Sequence, residues 1–180
     1  TGKPLICSTG MSTEFEIKKL IEFLRTRSAS FVLLHCNSTY PTPYKDVNLA
    51  YLSRLKSLSS GLVGYSGHER GFSIAIAAVA LGAKIIEKHF TVDKSMEGND
   101  HKVSLLPKEF KMMVEEIRKV EVSLGENSER TITQGERLNR ETLAKSIVTK
   151  NAISTGAVLT REMVEFKSPG QGLQPIYVDQ

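Results

Sequence analysis

From Pro4 to Leu124, short runs of apolar residues alternate with longer stretches in which apolar positions recur every three or four residues. The runs Pro4–Cys7, Phe31–His35, Leu62–Tyr65 and Ile85–His89 predict strands. After the first, Ser12-Thr13-Glu14-Phe15-Glu16 is a capping signal for a helix reaching about Arg27. Helices from about Val47 to Lys56 and from about Phe72 to Leu81 follow the second and third. Beyond a longer loop, Pro107-Lys108-Glu109-Phe110 opens an amphipathic helix to about Leu124, apolar at Phe110, Met113, Val114, Ile117, Val120 and Leu124. Met112 and Met113 read as packing residues. Strands that are apolar at almost every position, each followed by a helix, predict a parallel sheet covered by helices. Four such βα units suit a small open sheet or half of a (β/α)8 barrel, and periodicity does not separate the two.

The pattern then changes. Gly125 to Arg140 is polar, and the region 126–143 reads as a linker between a portion 1–125 and a unit 144–180. In that last unit short strands are expected at Lys145–Val148, Ala152-Ile153, Val158-Leu159 and Met163–Phe166, with a turn at Ser154-Thr155-Gly156 and a loop at Lys167–Gly172. Such a unit is small and β-rich, and Gln180 falls before its usual close. Thr1, which is not Met, stands a few residues before a strand, as if the chain were cut between units.

At 180 residues, 40% hydrophobic and 24% charged, the composition is that of a soluble globular protein. The net charge of +4 is modest, and basic residues alternate with acidic ones rather than forming a run. That argues against a nucleic-acid partner. The longest mostly apolar run, Ile74–Leu81, is too short to span a bilayer, and no signal peptide is visible, so no membrane partner is expected. Two cysteines, Cys7 and Cys36, make no disulfide framework and fit a reducing, cytoplasmic setting. Both read as small buried side chains without an adjacent base.

The ends of successive parallel strands share one rim, where α/β enzymes collect reacting groups. Each strand here delivers hydroxyl, amide or imidazole groups to it: Ser8 and Thr9; Asn37, Ser38 and Tyr40; Ser66 and His68; His89. Hydroxyls and backbone N–H groups at such ends can cradle a phosphate or carboxylate. Either histidine alone reads as a hydrogen-bonded loop or strand-end residue. As a pair on adjacent strands, His68 and His89 are candidates for sharing one divalent metal, its other positions open to substrate. His35, inside a strand, reads as a satisfied core histidine, while His101 faces ligand or solvent. Asp100 and Glu87 are candidate acid–base or hydroxyl-binding groups, and Asp100 ranks higher because strand alternation is expected to turn Glu87 away.

These phrases together carry a resemblance. Ser8-Thr9-Gly10-Met11, His35-Cys36-Asn37-Ser38-Thr39-Tyr40-Pro41-Thr42-Pro43-Tyr44, Gly64-Tyr65-Ser66-Gly67-His68-Glu69, Glu87-Lys88-His89-Phe90-Thr91 and Gly98-Asn99-Asp100-His101 resemble the sialic acid synthase family. Ala144-Lys145-Ser146-Ile147-Val148 and Pro169-Gly170 resemble the start of that family's small SAF, or antifreeze-like, domain. The resemblance implies the C-terminal half of a (β/α)8 TIM-type barrel, a linker and a partial SAF domain, paired as a domain-swapped homodimer. It implies condensation of phosphoenolpyruvate with N-acetylmannosamine, its 6-phosphate or a related amino sugar, giving a nine-carbon 2-keto acid and phosphate. His68 and His89 would hold the metal, manganese with magnesium or cobalt as alternatives, which would act as a Lewis acid on the sugar aldehyde. Ser8, Ser38 and Ser66 match positions that hold phosphoenolpyruvate, and Tyr40 and Asp100 match positions that contact the sugar. Ser38 departs from the Asn of some members. Ser168 departs from the arginine that bacterial members place before Pro-Gly. Gly67-His68-Glu69 is closer to animal-type synthases that take the phosphorylated sugar. The family's barrel has four further units, so the isolated chain is expected to have little synthase activity. The competing readings are a non-catalytic carbohydrate-binding module and a metal-dependent aldolase or isomerase on a similar barrel.

Overall fold

A computed structural model describes residues 2–179, so Thr1 and Gln180, the ends of the two expected portions, lie outside the described residues. The chain divides into two compact units, at residues 1–126 and 127–180.

The first unit is a βα series. Strands β1 (Leu5–Ser8), β2 (Phe31–Cys36), β3 (Val63–Gly67) and β4 (Ile85–Lys88) pair in parallel in that order, the strand order of half a (β/α)8 barrel. Parallel neighbours need crossovers, and helices α1 (Glu14–Thr26), α2 (Tyr44–Val47), α3 (Tyr51–Ser59) and α4 (Ser73–Ala80) supply them. Helix α5 (Pro107–Leu124) follows β4 after a long loop. Helix α1 starts where the capping signal lies: Thr13 Oγ1 accepts from the Glu16 amide, and the Glu16 carboxylate accepts from the Thr13 amide at 2.7 Å. The single helix expected over Val47–Lys56 is two, because Asn48 adopts a left-handed conformation (φ 49°) that ends α2 before α3 begins.

Alternation sorts the strand residues between two faces. Leu33, Val63 and Tyr65 pack against Ile17, Ile21, Leu52, Leu55 and Ala78 of the helices. Leu33 and Leu55 are wholly buried there. A second cluster joins Ala75 and Val79 of α4 to Leu105 and to Met113 and Ile117 of α5. Of the apolar stripe expected on α5, Met113 and Ile117 are buried, whereas Val114 and Leu124 are exposed. The opposite face of the sheet carries Ser8, Leu34, Gly64, Ser66, Ile85 and Glu87, which the parallel register places side by side. Gly64 is required there: a Cβ would meet Leu34 Cδ2 at 2.4 Å and the Ile85 carbonyl at 2.5 Å.

In the second unit, helix α6 (Gln134–Leu143) occupies most of the stretch whose polarity reads as a linker. Its start is another capping box, with the Thr133 hydroxyl accepting from the Glu136 amide and Glu136 from the Thr133 amide. Strands β5 (Ser146–Thr149) and β6 (Val164–Lys167) pair antiparallel. Ala152-Ile153 and Val158-Leu159 are not strands. Among the described residues no helix is long and apolar enough to cross a membrane.

Candidate functional site

The site forms where the strands of the first unit end. Strand β3 ends at Gly67, so His68 is the first residue of the loop beyond it, and His89 stands in the same relation to Lys88 at the end of β4. The two imidazoles lie with ring centroids 5.0 Å apart, planes at 70°. The sequence-expected pair is therefore together. Tyr40, in the loop after β2, lies against both rings, its centroid 4.2 Å from that of His68 and 5.6 Å from that of His89.

The His68 ring is buried and firmly held. Its Nδ1 lies 2.7 Å from the Asn37 carbonyl, a contact that requires Nδ1 to carry the proton and donate it. Nε2 is thereby left as the lone-pair nitrogen, and the Tyr40 hydroxyl donates to it over 3.1 Å. The backbone is fixed too, since the His68 carbonyl accepts from the Thr42 amide at 3.1 Å. Asn37 is itself tied down, accepting from the Thr39 amide and donating to the Asp46 carbonyl. His89 is more open. Its Nδ1 is 3.9 Å from Asp100 Oδ2, and Asp100, in the turn Asp100–Lys102, is exposed.

Ser66 sits on the same face and donates to Glu87 Oε1 at 2.7 Å. This reverses the expectation for Glu87. Residues two apart on a strand share a face, so Glu87 shares one with His89 and does not turn away. Ser8 lies on this face at the end of β1, exposed. Ser38 is half-buried against Gly10, whose Cβ position would fall 2.1 Å from Ser38 Oγ. Glycine at position 10 is what lets the loops after β1 and β2 meet. Thr9 has a structural role, its buried hydroxyl donating to the Leu34 carbonyl.

Cys36 Sγ lies 3.7 Å from His68 Nδ1, but that nitrogen carries a proton given to the Asn37 carbonyl and is no base for the thiol. Burial also pushes the thiol pKa up, so the sulfur stays protonated. Cys7 is half-buried, and both cysteines are free. His35 is the core histidine it was expected to be, buried, with Nε2 2.7 Å from the Val47 carbonyl. Desolvation pulls its pKa below the usual histidine value. His101 is taken up by the Thr91 hydroxyl, 2.7 Å from its Nδ1. Tyr40's hydroxyl is raised, chiefly by burial, and stays protonated near neutral pH.

Among the described residues no group of three or more His, Cys, Asp or Glu side chains is arranged to hold a cation. Two imidazoles are what this chain offers, and their chemistry fits such a role. A ligand histidine characteristically gives its second nitrogen's proton to a carbonyl or carboxylate, as His68 does to Asn37. Nitrogens each ~2.0–2.1 Å from a zinc-sized ion are at most about 4.2 Å apart. Rings with centroids 5.0 Å apart can meet that limit.

The parallel sheet of the first unit thus gathers paired imidazoles, hydroxyls and a carboxylate at its strand ends, the rim at which α/β enzymes collect reacting groups. A crystal structure of an N-acetylneuraminic acid (sialic acid) synthetase from Leptospira borgpetersenii in complex with citrate is similar, with a TM-score of 0.68 and 37% identity over 77% of this chain and 49% of that one. Residues 1–129 match the NeuB family, and the chain belongs to it, the sialic acid synthase family. It is 40% identical over 96% of its length to an N,N'-diacetyllegionaminic acid synthase of Campylobacter jejuni, covering 52% of that protein. It is 39% identical over 92% of its length to the human N-acetylneuraminate-9-phosphate synthase, covering 46% of it. The chain thus spans about half the length of the curated relatives it matches.

Proposed function

We propose that this chain supplies the sugar- and metal-binding rim of a synthase that condenses phosphoenolpyruvate with an amino sugar. The sugar is N-acetylmannosamine, its 6-phosphate or a relative, and the products are a nine-carbon 2-keto acid and phosphate. The observation that carries this reading is the meeting of His68, His89 and Tyr40 at the ends of three strands, within a chain of the NeuB family.

His68 and His89 would hold a divalent cation, manganese with magnesium or cobalt as alternatives. When bound, the ion supplies Lewis-acid polarisation of the sugar aldehyde. The Asn37 carbonyl keeps the His68 proton on Nδ1, so Nε2 is the nitrogen presented. Ser8, Ser38 and Ser66 line the sheet side of the site and hold the phosphoenolpyruvate end. Tyr40 and Asp100 bind sugar hydroxyls, Asp100 from its exposed turn beside His89. The enol carbon of phosphoenolpyruvate forms its bond to the aldehyde carbon, water adds to the neighbouring carbon, and the carbon–oxygen bond to phosphate breaks. Glu87, bonded to Ser66 on the same face, joins this set as a group able to take or return a proton.

In this reading the second unit corresponds to part of a SAF domain joined through the 126–143 segment, and the complete enzyme is a domain-swapped cytoplasmic homodimer. The test is phosphate release from phosphoenolpyruvate by the full-length protein, with a panel of amino sugars, with manganese and after chelation. Sugar-dependent release that needs the metal and disappears in His68→Ala and His89→Ala is the expected result. The isolated chain should show little or none. Sugar binding without phosphate release would establish a carbohydrate-binding module instead. Sugar turnover that leaves phosphoenolpyruvate untouched would establish an aldolase or isomerase.

A further inference from the structure

The helix-facing side of the same two strands carries a second polar group, buried and separate from the rim. The Lys88 and Glu69 side chains are 0% and 1% exposed, with Nζ 2.9 Å from Oε1. Lys88 also donates to the Glu69 carbonyl, and the Tyr65 hydroxyl donates to Glu69 Oε2 at 2.7 Å. The carboxylate folds back over Gly67, in space a Cβ would fill: that atom would lie 2.7 and 2.9 Å from the two Glu69 oxygens.

The placement in the chain is informative. Glu69 directly follows His68, and Lys88 directly precedes His89. Desolvation makes a buried ion pair a weak source of net stability, and apolar residues of similar volume often serve as well or better. Stability alone therefore does not account for two charges here. A fixed distance does. The pair joins the loop after β3 to the last residue of β4, and Lys88 donates to backbone as well as side chain of Glu69. Successive strand residues leave the backbone on opposite sides, so pinning Lys88 on one side sets the direction from which His89 leaves on the other. His89 needs this more than His68, whose ring and carbonyl are bonded to Asn37 and Thr42.

We infer that the buried Glu69–Lys88 pair, completed by Tyr65, is a positioning device that holds the His68 and His89 rings in register across the strand ends. It deepens the proposed function and rests on that reading only for what the two imidazoles hold.

The test is a ring-to-ring nuclear Overhauser effect between His68 and His89 in the metal-free full-length protein with labelled histidine, alongside a cobalt titration followed by visible absorption. The unsubstituted protein shows the cross-peak. In Lys88→Met and Glu69→Gln it falls at least fivefold while core methyl signals keep their dispersion. Glu69→Leu/Lys88→Met removes the stranded charge that either single change leaves behind. It is expected to fold with a melting point close to that of the parent, still with the weakened cross-peak and with cobalt affinity lowered 10–100-fold, the usual scale for a lost support of a metal ligand. A folded double variant whose cross-peak and cobalt affinity both match the parent overturns the inference. A parent that shows the cross-peak but no cobalt band, with the cross-peak lost in the variants, overturns the metal reading and supports the positioning role.

Discussion

Substituting Gly67 by alanine tests the packing behind that pair. The added methyl would sit 2.7 and 2.9 Å from the Glu69 oxygens and 2.8 Å from Tyr65 Cε1, all closer than a carbon atom tolerates. Neither neighbour gives way freely, because the carboxylate is held by Lys88 and Tyr65, and the Tyr65 ring is packed in the helix-facing core. Overpacking of this kind costs about 1–3 kcal/mol. Pushing the carboxylate off its ammonium adds part of the roughly 3–5 kcal/mol that follows loss of one partner from a buried pair. The sum expected is about 3 kcal/mol, or roughly 10 °C in melting temperature for a unit of this size. Gly61→Ala is the control within the same unit, since a Cβ there meets only the Ser59 carbonyl at 3.8 Å. It should change stability by less than about 1 kcal/mol, through the unfolded chain. Thermal and urea unfolding followed by circular dichroism measure both. If the two alanine variants unfold within about 1 kcal/mol of each other, the Glu69 carboxylate does not occupy the space above Gly67.

Two further outcomes follow from the same sheet and its helices. Arg54 donates to both Glu14 oxygens, at 2.7 and 3.0 Å, and this, with Lys18, holds the Glu14 carboxyl down at about 2. A depressed carboxyl contributes stability above its ordinary range near 4.5 and loses it as pH falls through 2. A carboxyl carbon titration should therefore place its midpoint near 2, and Arg54→Met should move it upward. Leu33→Ala, at a wholly buried position between the helices and the sheet, should cost about 2–5 kcal/mol in urea unfolding, mostly through the cavity left behind.

Much of this was legible in the chain, for definite physical reasons. Fully apolar strands separated by helical periodicities specify a parallel sheet, and the positions of His68 and His89 relative to their strands put both rings at one rim. Helix α6 was obscured because it carries only two large apolar residues, Leu138 and Leu143, both exposed. Only its capping pattern, Thr133 followed by Glu136, marks it, and none of its residues is buried. The turn at Asn48 was hidden because an αL residue between two helices leaves no mark in hydrophobic periodicity.

Glu87 and Lys88 show where strand alternation must be carried through to its end. Ile86 packs among the helices, so Lys88, two residues on, belongs to the buried side and Glu87 to the open side beside Ser66. A lysine on the buried side of a strand demands an anion. The acidic residue two past the glycine that ends β3 is within reach, because Gly67 leaves room for its carboxylate to fold back. Taken together, Gly67-His68-Glu69 and Glu87-Lys88-His89 describe one construction, in which each imidazole departs from a backbone whose adjacent residue is fixed on the other side. The open face can then carry exposed, exchangeable polar groups, because the order of the site is held by charges that solvent does not reach.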